Sequence, residues 1–137
     1  MKAITLIQPW ASLVAIGAKR IETRSWATSY RGPHAIHASA RYPGWAKAVA
    51  LEEPAIRAAL LEALLPPQRL ITGHIIAVCD LVDCFQITPE NQPAEPERSY
   101  GDYTPGRYAW ALNDVRKLPR PIPAKGRLGL WEHDLKE

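Results

Sequence analysis

Residues 70–85, Leu-Ile-Thr-Gly-His-Ile-Ile-Ala-Val-Cys-Asp-Leu-Val-Asp-Cys-Phe, constrain the fold more than any other stretch of the chain. Side chains on a strand alternate between two faces, and this run is apolar on both. It is too long and too apolar to be an edge, so it reads as the central strand of a sheet covered on each side. Asp80 and Asp83 interrupt that apolarity. A carboxylate in such a strand is either turned out to solvent near the strand end or held in a pocket. His74, Cys79 and Cys84 form an H-x4-C-x4-C series. Zinc sites bring C-x2–4-C pairs with a second pair elsewhere, and none exists here, so no metal is expected. Two inert, buried thiols are the default.

Other elements assemble around that strand. Thirteen prolines in 137 residues are about twice the usual share and favour a loop-rich β or α+β domain over a helical bundle. The 47% apolar and 23% charged content is that of an ordinary globular chain, read as one domain over 1–137. Ala3–Ile7 reads as a first strand. Pro9 then opens a helix in which Trp10, Leu13 and Val14 recur at helical spacing, and Gly17 closes it as a left-handed cap. Trp10 reads as core packing. A turn at 29–33 leads to a strand at His34–Ser39, where His37 reads as buried and bonded to a neighbour, with catalysis the minority reading. Gly44–Leu51 is a helix, and Pro54 opens another whose Ile56, Leu60, Leu61 and Leu64 share a face. Residues 88–104 lack periodicity and read as a long surface loop, in which Tyr100 and Tyr103 either stack on a ligand or anchor the loop. Tyr108–Leu112 is a strand, Leu118–Pro123 an extended connector, and Gly126–Trp131 a closing strand before a charged tail.

The chemistry concentrates at 17–26, Gly-Ala-Lys-Arg-Ile-Glu-Thr-Arg-Ser-Trp. Lys19, Arg20, Glu22 and Arg24 place four charges within six positions, and ordering them is costly unless they pair or meet a ligand. On an extended strand Arg20, Glu22, Arg24 and Trp26 project one way, with Glu22 and Arg24 roughly 6.6 Å apart. The bland alternative is an internal ion pair holding the strand in register. Net charge is only +3, but its distribution is uneven. Residues 19–41 carry Lys19, Arg20, Arg24, Arg31 and Arg41 against Glu22, and 115–129 carry Arg116, Lys117, Arg120, Lys125 and Arg127 with no acid. Side by side, these segments would form a positive cleft suited to an anion; apart, they are solubilising surface. The chain shows no signal pattern and no apolar run of membrane length, and its two cysteines fit reduced thiols in the cytoplasm. No G-x-G-x-x-G follows a strand and no G-x4-G-K-[ST] occurs, so no cofactor of those classes is expected.

The pattern Gly17-x-Lys19-x-x-Glu22-x-Arg24 resembles the signature of the ASCH domain family, related to the PUA domains of RNA-modification proteins. Its surroundings are similar too: Gln8-Pro9-Trp10-Ala-Ser-Leu before it, Arg31-Gly-Pro-x-Ala-Ile-His-Ala38 after it, Gly73-x-Ile-Ile-Ala-Val in the long strand, and Trp110-x-Leu, Pro119 and Gly126–Trp131 later. The resemblance covers about residues 3–132. It implies an α+β fold: a small PUA-like β-barrel of five or six strands, with an early short helix and a helical pair around it, and a cleft beside the signature strand. One subgroup of the family hydrolyses acylated cytidines with a lysine, a threonine three residues on, and a distant glutamate. Lys19 matches the lysine. Glu22 occupies the threonine position, Thr23 is one place out, and Asp80, Asp83 and Glu90 are undistinguished candidates for the third group.

Two functions follow from this resemblance. The first is a module binding RNA, a nucleotide or a modified nucleoside, with Gly17, Lys19, Glu22, Arg24 and Trp26 at the site: Lys19 and Arg24 on phosphate, Glu22 on base or ribose, Trp26 stacking. The alternative is a small hydrolase, an amidohydrolase of acylated nucleosides or a ribonuclease, with Lys19 as base or nucleophile and Glu22 orienting it. Strand geometry sets a condition on the second. Lys19 and Glu22 alternate to opposite faces unless the Gly17 turn rotates Lys19 inward.

Overall fold

In the computed structural model, which describes residues 1–135, the apolar run becomes strand β4 (His74–Gln86). It begins later than the run because Gly73, at φ +71°, turns the chain just before it. Residues 75–79 are buried without interruption, as a strand covered on both faces must be. β4 lies antiparallel between β5 (Tyr108–Pro123) and β3 (Gly32–Ala38). The full sheet runs β2 (Ile21–Arg24), β5, β4, β3, β1 (Lys2–Leu6), β6 (Leu130–Glu132). β1 is parallel to β3, while β6 returns antiparallel to β1.

Irregularities between β4 and β5 coincide with the sheet's curl into half a barrel. Asp114 and Val115 stand opposite Cys79 alone, with Asp114 at φ +52°. Residues 118–121 stand opposite Ile76 alone, and on the other side β4 carries Val82 as an extra residue. Each insertion bends its strand and sharpens the local twist. The 118–121 bulge has a chemical origin: Pro119 and Pro121 cannot donate to a ladder. The expected connector at 118–123 is therefore part of a strand, one interrupted at its prolines. The closing strand is shorter than expected, because Gly129 at φ +67° holds the preceding residues in a loop. Residues 136–137, the end of the expected charged tail, lie outside the described residues.

Helix α1 (Trp10–Ala15) packs its Ala11, Val14 and Ala15 against Ile4, Ile36, Ile76 and Trp110 of the sheet, while Leu13 turns to the helical pair. That pair is α2 (Gly44–Glu52) and α3 (Pro54–Glu62), and Glu53 caps α3 by accepting the Ala55 N–H at 3.4 Å. Ile56 and Leu60 are buried as the helical spacing predicts, but Leu61 and Leu64 are exposed. Leu61 lies about 100° further round the helix than Leu60. Leu64 lies past the end of α3, at φ +60°, off the helical face altogether. Among the described residues no helix is long and apolar enough to cross a membrane.

Candidate functional site

The site begins where α1 ends. Gln8 is buried and steadies the start of that helix, its amide accepting from Ser12 N at 2.9 Å and donating to Ile71 O at 2.9 Å. At the other end Gly17, at φ +81°, reverses the chain, and the Lys19 N–H returns to Leu13 O at 3.0 Å. Lys19 is thus fixed in a turn before β2 rather than on the strand, which starts at Ile21. That turn removes the parity problem. The Lys19 ammonium lies 3.2 Å from Glu22 Oε1 and donates to the Ile21 carbonyl.

Glu22 is shared by two cations. Its other oxygen faces Arg24 Nε at 3.2 Å, close enough for an ion pair but without hydrogen-bond alignment. Arg24 is held separately by Nη2, which donates to Thr5 O on β1 at 3.0 Å. The side chain of Lys19 is 1% exposed and that of Glu22 13%. So little solvent means that each charge depends on its partner.

The long loop packs on this cluster instead of standing away from it. A short 3-10 turn at Glu97–Tyr100 carries Glu97, whose carboxylate accepts the Arg20 N–H at 2.8 Å and the Ile21 N–H at 3.4 Å. Further on, the Asp102 N–H donates to Thr23 Oγ1 at 3.3 Å. The loop so covers the outer edge of β2, whose other edge pairs with β5 from Ile21↔Ala111 to Arg24↔Tyr108. Tyr100 and Tyr103 are both buried, and Tyr100 also lines the cavity beside this cluster. Burial pushes both phenol pKa values up, helped at each by the nearby Glu97.

A cavity of about 540 Å³ opens above the cluster. Lys19, Glu22 and Arg24 form its floor, Trp10, Trp45 and Ile56 one wall, and Ser99, Gly101 and Asp102 of the loop another. Trp10 and Trp45 lie with ring centroids 5.9 Å apart, tilted by 37°, and Trp45 is 59% exposed. Trp10 thus packs on the cluster around Leu13, Ile56 and Leu60, as expected of a core residue, and also lines the cavity. Sequence reasoning passed over Trp45, whose signal was an exposed aromatic on a weakly amphipathic helix.

The other expected site residues lie elsewhere. Trp26 does not line this cavity; it meets Trp110 edge-on at 4.7 Å, and its carbonyl accepts the Trp110 indole N–H at 3.2 Å. Gly17 borders a separate hollow between α1 and α3. Asp83 is exposed, with Arg31 4.0 Å away, and Asp80 faces Arg116 at 3.8 Å, so both carboxylates serve the surface. Glu90 is exposed as well. Cys79 is buried 3.7 Å from His34 Nδ1, and burial pushes its thiol up to about 12. Among the described residues no cluster could hold a metal ion.

The charge of the cavity differs from the positive cleft expected of two basic segments. Lys19 and Arg24 face Glu22, Glu53 and Asp102 around it, and no residue of 115–129 contributes. The reason is topological: β2 meets β5 only at Tyr108–Ala111, whereas the second basic segment runs along the far half of β5 and beyond.

Comparison with known proteins points one way. The ASCH domain model matches residues 4–121. Human and mouse activating signal cointegrator 1 are 27% and 26% identical over 133 residues, covering 97% of this chain. The chain spans only 22% of the length of those relatives. The crystal structure of ASCH from Zymomonas mobilis matches with a TM-score of 0.55 at 17% identity, covering 97% of this chain and 87% of that one. A point variant of the same bacterial protein gives 0.57, covering 97% and 90%.

Proposed function

The chain belongs to the ASCH domain family, and from that premise we propose that it is a nucleoside-binding module, taking a base from RNA or a free nucleoside. The observation that carries this reading is the cavity above the signature strand. It pairs an aromatic wall, Trp10 and Trp45, with a floor of fixed donors and acceptors. Its volume is in the usual range of roughly 300–1,000 Å³ for small-molecule sites. A flat heterocycle needs one face to stack on and a polar edge to read, and this arrangement offers both. The near balance of charge fits a base better than a bare phosphate. Lys19 and Arg24, already committed to Glu22, would donate to base carbonyls, and Glu22 would orient them.

Titration of tryptophan fluorescence with single nucleosides and with their acylated forms tests the proposal. Trp45→Ala is the informative variant, because Trp45 is exposed and its loss leaves the core intact. Base–aromatic stacking contributes about 1–3 kcal/mol, so binding is expected to weaken roughly 5- to 150-fold. Equal affinity in wild type and variant would remove the stacking wall from the argument.

One observation favours a second reading. Lys19 does reach Glu22 at the cavity floor, the contact that a lysine–glutamate hydrolase requires. Mass spectrometry of the same acylated nucleosides after incubation separates the two functions. A deacylated product lost in Lys19→Ala would make the site hydrolytic, whereas recovery of intact ligand leaves a binding module.

A further inference from the structure

A second cationic region lies outside the cavity. Lys117, Arg120, Lys125 and Arg127 are all exposed, and among the described residues none of them makes an ion pair. Exposed lysines and arginines often do no more than protect a sheet edge or keep a protein soluble. Two features set these four apart.

The first is that their edge is already protected. β2 pairs with Tyr108–Ala111, and among the described residues no strand pairs with that edge of β5 further on, where Pro119, Pro121 and Pro123 remove donors that a foreign strand would need. The cations are not required for that purpose. Arg120 stands within the bulge at 118–121, opposite Ile76 alone, with Lys117 at its base.

The second is that the following loop is pinned. The Ala124 N–H donates to Gly73 O at 3.1 Å, and the Ala124 carbonyl accepts from His37 Nε2 at 2.7 Å. Gly126 is pressed so closely on β1 and β3 that a Cβ there would lie 2.8 Å from Thr5 Oγ1 and 2.9 Å from His37 Cε1. Lys125 and Arg127 flank that pinned glycine. Leu128, 98% exposed, follows them. The same Thr5 accepts Arg24 through its carbonyl and borders the cavity. One residue therefore separates the pinned loop from the candidate site.

We propose that residues 117–127 form a strap that binds the phosphate backbone of a single-stranded nucleic acid whose base enters the cavity. The proposal rests on the nucleoside reading for the identity of the polyanion, and it divides the labour. Base recognition belongs to the charge-balanced cavity, and salt-dependent affinity belongs to the strap. An acidic membrane is the poorer partner, because one exposed leucine is little apolar surface to insert.

The test is fluorescence anisotropy of a labelled single-stranded RNA 12-mer, titrated at several salt concentrations. If four phosphates are neutralised, log K should fall with log salt at a slope of about −2.8, at about 0.7 per phosphate. That slope weakens binding roughly 50-fold between about 50 and 200 mM salt. The quadruple variant Lys117→Gln, Arg120→Gln, Lys125→Gln, Arg127→Gln should lose most of the slope while keeping its affinity for a free nucleoside. These side chains are exposed, and an unchanged thermal midpoint verifies the fold. A quadruple variant with the wild-type slope overturns the strap. So does tighter capture by phosphatidylserine vesicles than by RNA. A salt slope abolished by the four substitutions, with no nucleoside bound by either protein, keeps the strap and overturns the cavity reading instead.

Discussion

Two groups of cations in this chain stand in opposite circumstances. Lys19 and Arg24 are sequestered around one carboxylate at the base of a cavity, whereas Lys117, Arg120, Lys125 and Arg127 are exposed and, among the described residues, make no ion pair. The contrast teaches that a basic sequence segment has no fixed meaning. Its electrostatic role depends on whether the fold provides a counter-charge. At 19–24 the fold does so: the Gly17 turn carries Lys19 round to Glu22, which also faces Arg24, and Glu53 and Asp102 on the cavity lining offset the positive charge that remains. Along 115–129 Arg116 meets carboxylates at Asp114 and Asp80, whereas among the described residues Lys117, Arg120, Lys125 and Arg127 make no ion pair.

The largest expected effect breaks the first group. Among the described residues, Glu22→Ala leaves Lys19, 1% exposed, with the Ile21 carbonyl as its one remaining charge-stabilising partner. Removing one member of a buried ion pair typically costs about 3–5 kcal/mol. The urea midpoint should fall accordingly, and nucleoside binding with it. A loss under about 1 kcal/mol would mean that the cluster behaves as a surface pair.

Next in size is the pin between the two regions. Gly126→Ala drives a methyl against the Thr5 hydroxyl and the His37 ring, neither of which ends a flexible side chain. Overpacking of this kind costs about 1–3 kcal/mol. It should also blunt the salt dependence of RNA binding, since Lys125 and Arg127 lose their fixed position. Gly17→Ala is the matched control at the other region. It has open space around the new methyl, so the cost there comes from φ +81° alone, about 1–2 kcal/mol.

Much of this was legible in the sequence, and the part that was not has a physical cause. The central strand, the Pro9 and Pro54 helix starts and the Gly17 reversal are local effects of alternation and backbone chemistry, and they appear where the residues put them. The Glu22–Arg24 face was local too. The Lys19–Glu22 contact was legible only as a condition, because strand parity forbids it and the Gly17 turn, outside the strand, permits it. Trp45, Ser99 and Asp102 reach the cavity through tertiary packing, for which a single sequence has no periodic signal. Trp26 shows the converse: parity placed it with Glu22 and Arg24, but its strand ends at Arg24, and it turns to Trp110 instead.

A smaller, pH-dependent effect distinguishes the His37 side of the pin. Burial lowers the pKa of His37 and of His34 below 6.5, and carbonyl bonds at Ala124 and Cys79 only partly oppose it. The unfolded chain therefore binds more protons than the folded one just below pH 6.5, so stability rises with pH in that window. Their contribution is complete above about pH 6.5 and is lost as pH falls toward the lowered values. Urea midpoints should drop between pH 7.5 and 5, and His37→Gln should flatten part of that slope. A midpoint that rises on acidification would show that both imidazoles are stabilised as cations.

The smallest expected effect on stability is the sharpest test of the comparison. Lys117→Gln alone should change folding free energy by less than about 0.5 kcal/mol, as surface substitutions without partners do. Yet it should reduce the salt slope of RNA binding by about 0.7, the share of one phosphate on a single strand. Glu22→Ala is expected to cost stability instead and, by leaving Lys19 and Arg24 without their shared carboxylate, not to reduce the slope across the salt range where the protein stays folded. If Lys117→Gln lowered stability instead, its charge would be satisfied within the fold, and the two cationic regions would be alike after all. A double dissociation is what the geometry requires: the cluster closed by Glu22 sustains the folded cavity, and the open strap answers to salt.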